Sequence, residues 1–296
     1  MIDTNNPPTL VKTKNGYWTF TNLPVQEDLS DYYSKKYYQD GCGSYEIAYK
    51  EEEIEYFRLK AKVIRSCIEK INPTYKKFKV LDGGCGEGWV LSEFLENGYS
   101  VKGIDFSRYG IEKINPHVLE YFQQGDIYQL LEEIISNGEK RDVIILANVI
   151  EHVLDPESLL DKISQVMHKE TALAIVVPND FSPLHNYLFE KKIIYKKFWI
   201  AFPEHLNYFN LESMTNTLEN AGFTIKKIIA DNPIDLNLLN QNSNYINSPD
   251  KGEKTHQYRV LSDLFLSSQN FNAFLDYSEC LAKMGVGRDL TYFVTL

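Results

Sequence analysis

Basic residues are the first scarcity in this 296-residue chain: 31 lysines and arginines face 41 aspartates and glutamates, a formal net charge of −10. A protein that tracks a phosphate backbone needs a basic footprint, so the balance argues against nucleic acid as a partner. Cysteine is scarce too. Cys42, Cys67, Cys85 and Cys280 are far apart and form no C-x-x-C pair, which fits a reduced chain better than a disulfide or zinc framework. No apolar run reaches membrane-spanning length, and the polar start Met1-Ile2-Asp3-Thr4-Asn5-Asn6 has no signal-type apolar core. The expectation is a cytoplasmic protein that contacts neither nucleic acid nor membrane. Its composition, 43% hydrophobic and 24% charged, is that of a globular chain long enough for a full core.

Glycine is concentrated where it matters most. Phe78, Val80 and Leu81 form a short apolar, β-prone run, and Asp82-Gly83-Gly84-Cys85-Gly86-Glu87-Gly88 follows. Trp89, Val90, Leu91, Phe94 and Leu95 then recur at helical spacing. Strand, glycine turn and helix N-terminus make a nucleotide-type cradle, in which bare backbone approaches a ligand and free N–H groups favour negative charge. A dinucleotide fingerprint needs G-x-G-x-x-G, but here Trp89 stands in the third glycine's place. Asp82 would repel a pyrophosphate, and it suits a cationic ammonium.

Around this turn the chain alternates strand and helix. Residues 1 to about 27 read as irregular or edge strand, and residues 28–50 as a tyrosine-rich segment that either closes over substrate or packs a helix onto the sheet. Glu51–Ile71 reads as a helix ended by Asn72-Pro73. Ser100–Asp105 is a second strand, and Asp105 either receives ribose hydroxyls or caps the helix starting near Ser107. Tyr121–Ile127 holds a third, with Asp126 open to a plain turn role. Val143–Ala147 is a continuous apolar run of the kind buried on both faces, and it delivers Asn148, Glu151 and His152 to the sheet's carboxyl edge. Asp155-Pro156 starts a helix, Ala172–Val177 is a fifth strand, and Asn210 caps a helix ended by Gly222. Phe223–Ala230 and Leu290–Leu296 are the last two strands, with an Asn-rich stretch and two helices, about 257–267 and 271–284, between them.

The turn Asp82–Gly88, Asp105, Gly125-Asp126 and Glu151-His152-Val153, taken together and in this order, resemble the class I S-adenosylmethionine (SAM)-dependent methyltransferases. Pro203-Glu204-His205-Leu206-Asn207-Tyr208-Phe209 and Gly222-Phe223 resemble the H-L-x-x-F…A-G-F segment of the same superfamily. Gly285–Phe293 is similar to the ending of small-molecule and sugar methyltransferases of bacterial surface-polysaccharide pathways. The resemblance implies an α/β, Rossmann-like, seven-stranded sheet with helices on both faces and an antiparallel last strand. It also implies an organisation: cap (1–50), SAM-binding core (51–230), helical substrate-side insert (231–288) and final core strand (289–296). SAM, leaving as S-adenosylhomocysteine, would be held by Asp82, Gly84, Cys85, Gly86, Asp105, Phe106, Asp126, Ile127 and Asn148. Asp126 would sit near the adenine amino group, Ile127 against the ring and Phe106 near the adenosine.

Methyl transfer from SAM is an in-line displacement, and a hydroxyl acceptor benefits from a base that removes its proton. His152 and His205 are the candidates, one as base and one as orienter; the plain alternative is that His152 packs its turn and His205 caps the helix at Asn210. Ubiquinone-pathway and small-RNA end methyltransferases place E-x-x-E-H here around a divalent ion. This chain has Asn148-x-x-Glu151-His152, so the first carboxylate is missing; the leading expectation has no metal, and Glu151, His152 and His205 stay open as three ligands of a weaker site. The leading expectation is methylation of a hydroxyl on a sugar, nucleotide-activated sugar or glycan precursor, in a pocket formed by the insert and the tyrosine segment. Two others stay open: a silent SAM-binding partner subunit or sensor, and a nicotinamide dehydrogenase. A homodimer is also left open.

Overall fold

The computed structural model describes residues 9–25, 49–73 and 78–296. Near its start, β1 (Leu10–Lys12) and β2 (Trp18–Phe20) form a hairpin around Gly16. The first helix, α1 (Glu51–Ile71), begins and ends where its periodicity predicts, and buries Tyr56, Leu59, Val63, Ile64 and Ile68. Three glutamates in its first turn complement the helix dipole.

The alternating half follows: β3 (Lys79–Gly83), α2 (Trp89–Glu96), β4 (Ser100–Asp105), α3 (Tyr109–Ile114), β5 (Phe122–Gln124), α4 (Ile127–Ser136) and β6 (Arg141–Ala147). Next come α5 (Pro156–Gln165), β7 (Met167–Pro178), α6 (Pro183–Glu190) and β8 (Asn207–Tyr208). The remainder is α7 (Leu211–Asn220), β9 (Thr224–Ala230), α8 (Gly252–Gln269), α9 (Phe271–Lys283) and β10 (Asp289–Thr295). The main sheet runs β5-β4-β3-β6-β7-β10-β9, parallel except for β10, which is antiparallel to both neighbours. It is the seven-stranded, Rossmann-like sheet that the motifs implied.

The apolar run of β6 shows why the sheet is sandwiched. Ile144 and Leu146 enter one core cluster, with Leu159, Leu160 and Ile163 of α5. Val143 and Ile145 enter the other, with Ile64 and Ile68 of α1 and Leu91 and Phe94 of α2. All four strand residues are fully buried, each worth about 1.5–3 kcal/mol over an exposed side chain. Asp155 caps α5 through Ser158 N at 2.9 Å, and Asn210 caps α7 through Ser213 N at 2.9 Å, as read from sequence.

A second, three-stranded sheet, β1-β2-β8, pairs the N-terminal hairpin with the segment after His205. Thr19 Oγ1 donates to Leu206 O at 3.2 Å. Behind it Phe20, Phe181, Leu188, Trp199 and Tyr208 form a small aromatic core. The asparagines of 237–247 act as local ties: Asn244 Nδ2 donates to Ile193 O and Leu238 O, and Asn247 Nδ2 to Ile193 O.

Candidate active site

The carboxyl ends of the parallel strands open onto a cavity of about 530 Å³, within the size range of small-molecule sites. Its first wall is the glycine turn. Gly84, Gly86 and Gly88 all have positive φ, at 75°, 51° and 78°, and a Cβ on Gly84 would collide with Val149 Cγ2. Gly84 N and Cys85 N donate to Ile104 O at 2.7 and 3.0 Å, which lays the turn across the end of β4. Gly86 N donates to Asp105 Oδ2 at 2.9 Å.

Most of the residues assigned to the cofactor from sequence line this cavity: Asp82, Gly84, Cys85, Gly86, Asp105, Phe106, Ile127 and Asn148. Asp82 is 1% exposed, and its Oδ1 has no hydrogen-bond partner. Burial, then the nearby Asp105 charge, pushes its carboxyl up to about 7. Asp105 is not the cap of the following helix, since Arg108 holds that position. Its other oxygen accepts from Ser107 N at 3.0 Å, and the carboxylate stands at the cavity wall. Asp126 is placed differently from its neighbours Gly125 and Ile127. It is the N-cap of α4, accepting from Tyr128 N at 2.7 Å, and it is not among the lining residues. Burial pushes the Cys85 thiol up.

The far wall joins two segments 50 residues apart. Leu206 N and Asn207 N both donate to Glu151 O, at 2.8 and 3.0 Å, and Asn207 Nδ2 donates to Val153 O at 2.7 Å. These bonds set the rings of His152 and His205 edge to face, 4.9 Å apart. His152 Nδ1 donates to Glu204 O at 2.5 Å, so its Nε2 carries the lone pair. Burial pushes both histidines down, to about 4 for His152 and about 3 for His205, where the charge of His152 adds to the fall. His205 does not cap α7, whose cap is Asn210 itself. Glu151 is 1% exposed with both carboxylate oxygens unpaired, and burial pushes its carboxyl up. One ligand atom from each of Glu151, His152 and His205 falls within 4.8 Å of the others.

Lys60, Arg288 and Asp289 also reach the cavity, and the sequence reading named none of them as site residues. Arg288 lies within the closing Gly285–Phe293 motif, whereas Lys60 is indistinguishable in sequence from any helix lysine. Lys60 Nζ lies 3.6 Å from Asp231 and 3.5 Å from Asp289, and Arg288 Nη1 lies 3.1 Å from Asp180. Of the insert expected to form the pocket wall (231–288), only Arg288 lines the cavity, whose remaining side comes from Phe57, Lys60, Ala61 and Ile64 of α1 and from Trp89. The reason is packing: α9 buries Phe274, Leu275, Leu281 and Ala282 against the sheet, and the asparagines are spent on turns. Of the tyrosine segment, Tyr49 lines the cavity and donates to Glu87 at 2.8 Å. Tyr32, Tyr33, Tyr37, Tyr38 and Tyr45 lie outside the described residues.

Comparison with known proteins gives the same direction. A profile of a methyltransferase-domain family matches residues 51–228. The ubiquinone biosynthesis O-methyltransferase of Pelagibacter ubique (strain HTCC1062) is 31% identical over 114 residues, 38% of this chain and 47% of that protein. The protein of that name from Haemophilus ducreyi (strain 35000HP / ATCC 700724) is 31% identical over 116 residues, 37% of this chain and 49% of that one. The chain thus spans about half the length of these curated relatives. Among solved structures, the plantazolicin methyltransferase BpumL in complex with SAH superposes with a TM-score of 0.50 at 16% identity, over 90% of this chain and 93% of that one. Among the described residues, no helix is long and apolar enough to cross a membrane.

Proposed function

The chain belongs to the methyltransferase-domain family, and from that premise we propose that it transfers a methyl group from SAM to a hydroxyl of a small acceptor. One observation carries the reading. The buried Asp82 carboxylate, whose Oδ1 has no hydrogen-bond partner among the described residues, lies at the head of the glycine turn, in the same cavity as two neutral imidazoles. A carboxylate there fits the ammonium of SAM and opposes the pyrophosphate of a dinucleotide, so the dehydrogenase reading has no support.

SAM when bound supplies a methyl group on a sulfonium, open to attack opposite the sulfur. The chain's own residues do the rest. Asp82 takes the ammonium, Asp105 the ribose hydroxyls, and Phe106 and Ile127 flank the adenine. His152, with Nδ1 donated to Glu204 O and the lone pair on Nε2, takes the acceptor's proton as the new bond forms, and His205 orients the acceptor. The depressed histidines are neutral at pH 7, as a base must be. The names of the relatives support oxygen as the receiving atom. A sugar, nucleotide-activated sugar or glycan-precursor acceptor rests on the sequence resemblance alone.

Calorimetric titration with SAM, S-adenosylhomocysteine and NAD, repeated on Asp105→Ala, tests the proposal. Micromolar SAM binding that is lost in the variant is the expected result. Absence of SAM binding by the intact protein would overturn it.

A second reading is favoured by Glu151. Two carboxylate oxygens without a hydrogen-bond partner among the described residues lie beside His152 and His205, a donor set that suits a divalent ion that would hold the acceptor oxygen. Asn148 stands where a further carboxylate would strengthen such a site. Full turnover by Glu151→Gln in the presence of chelator would remove this version.

A further inference from the structure

We propose that Asp180 is a positioning residue that holds His205 in its Nδ1-protonated form and so turns the Nε2 lone pair towards the cavity. Asp180 lies just past β7, is 1% exposed, and its Oδ2 stands 4.0 Å from His205 Nδ1. Both atoms are buried, and neither has a hydrogen-bond partner among the described residues. Two facing orphans of this kind, a carboxylate oxygen and a ring nitrogen, are satisfied together by a small rotation of either side chain. Because Nδ1 is the enclosed nitrogen of a ring that lines the cavity, Nε2 is the one that opens onto it.

Asp180 is well fixed for the task. Its Oδ1 accepts from Arg288 Nη1 at 3.1 Å, and its backbone N donates to Phe209 O at 2.6 Å. Arg288 is held in turn. Asn179 N donates to Arg288 O at 2.9 Å, Asn179 Nδ2 bonds Gly285 O and Gly287 O, and the guanidinium stacks 5.6 Å over Phe198. The chain Arg288–Asp180–His205 therefore parallels Glu204–His152, where a backbone carbonyl fixes the other imidazole in the same sense. Both rings present Nε2 as an acceptor. A carboxylate that sets an imidazole's tautomer is a recurrent device wherever that ring must receive a proton or hold a cation.

The catalytic meaning rests on the methyltransferase reading, but the tautomer does not. In Asp180→Asn the amide oxygen must face Arg288, a donor, so the amide N–H₂ faces Nδ1 and forces the proton onto Nε2. Two-bond ¹H–¹⁵N spectra of histidine-labelled protein, assigned by loss of the resonance in His205→Gln, read this directly. The expected result is Nδ1–H in the wild type and Nε2–H in Asp180→Asn, with SAM affinity unchanged within about threefold. An Nε2–H or doubly protonated ring in the wild type, or one tautomer in both proteins, would overturn the inference. Failure to bind SAM at all would refute the methyltransferase reading and leave the tautomer result standing.

Discussion

Asp82→Asn separates what the fold wants from what the site wants. In the ligand-free protein the Asp82 carboxyl is buried, and burial raises it from 3.8 to about 7. The folded form thus keeps a proton that the unfolded chain has lost, so stability falls as pH rises from about 4 to about 7. A rise of about three pKa units corresponds to about 4 kcal/mol, fully present above pH 7 and absent below pH 4. An asparagine of the same shape carries no such penalty. At roughly 2–3 °C per kcal/mol for a chain of this size, Asp82→Asn should melt about 10 °C higher than wild type at pH 8. The gap should close towards pH 4. The same change removes the partner for the SAM ammonium, so affinity should drop by about 100-fold at pH 8. In the wild type, SAM binding near pH 7 should release a proton, visible by calorimetry in buffers of different ionisation enthalpy. Melting temperatures across pH and calorimetry suffice for the whole test. An Asp82→Asn protein that melts no higher than wild type at pH 8, or a gap independent of pH, would refute the reasoning.

Gly287→Ala should cost more than 2 kcal/mol, read as a lowered melting temperature, because φ is +116° and a Cβ would come within 2.5 Å of Ala230 Cβ. A variant as stable as wild type would show that this loop yields easily. Asp126→Ala should lose about 1 kcal/mol through its missing cap, while Asp126→Ser restores it. SAM affinity should stay within threefold in both, and a tenfold loss in Asp126→Ser would return the residue to an adenine-binding role. Leu146→Ala in the middle of β6 should cost about 2–5 kcal/mol, checked by denaturant unfolding.

The sheet was legible in the sequence because parallel strands buried on both faces leave uninterrupted apolar runs, as at 143–147, and because glycine is obligatory in the turn after β3. β7 was read short: its first residues, His168, Lys169 and Glu170, are polar or exposed and hide a strand that runs from Met167 to Pro178. The glycine-turn side of the cavity follows the chain locally, strand end by strand end, so spacing shows which residues share that wall. Asp126 shows the limit, since a carboxylate that caps a helix and one that meets a ligand have the same spacing. The histidine side is built from residues far apart in sequence. Nothing about Asp180 or Lys60 in isolation says which partner will face it, and that depends on β10 lying beside β7. The Asn-rich stretch misled for a physical reason: amides that recognise ligands and amides that knit turns have the same chemistry.

The placement of β10 also bears on the order in which the molecule is put together. It is the last strand of the main sheet in sequence, yet it lies between β7 and β9, and its first residue pairs with Pro178. Until it threads into that gap, β9 has no strand to join and the cavity lacks Arg288 and Asp289. A chain emerging from the ribosome therefore carries the glycine turn and both histidines long before the cavity wall is complete. Non-local pairing of this kind is slow to form. Completion of the cavity wall and closure of the sheet are one event.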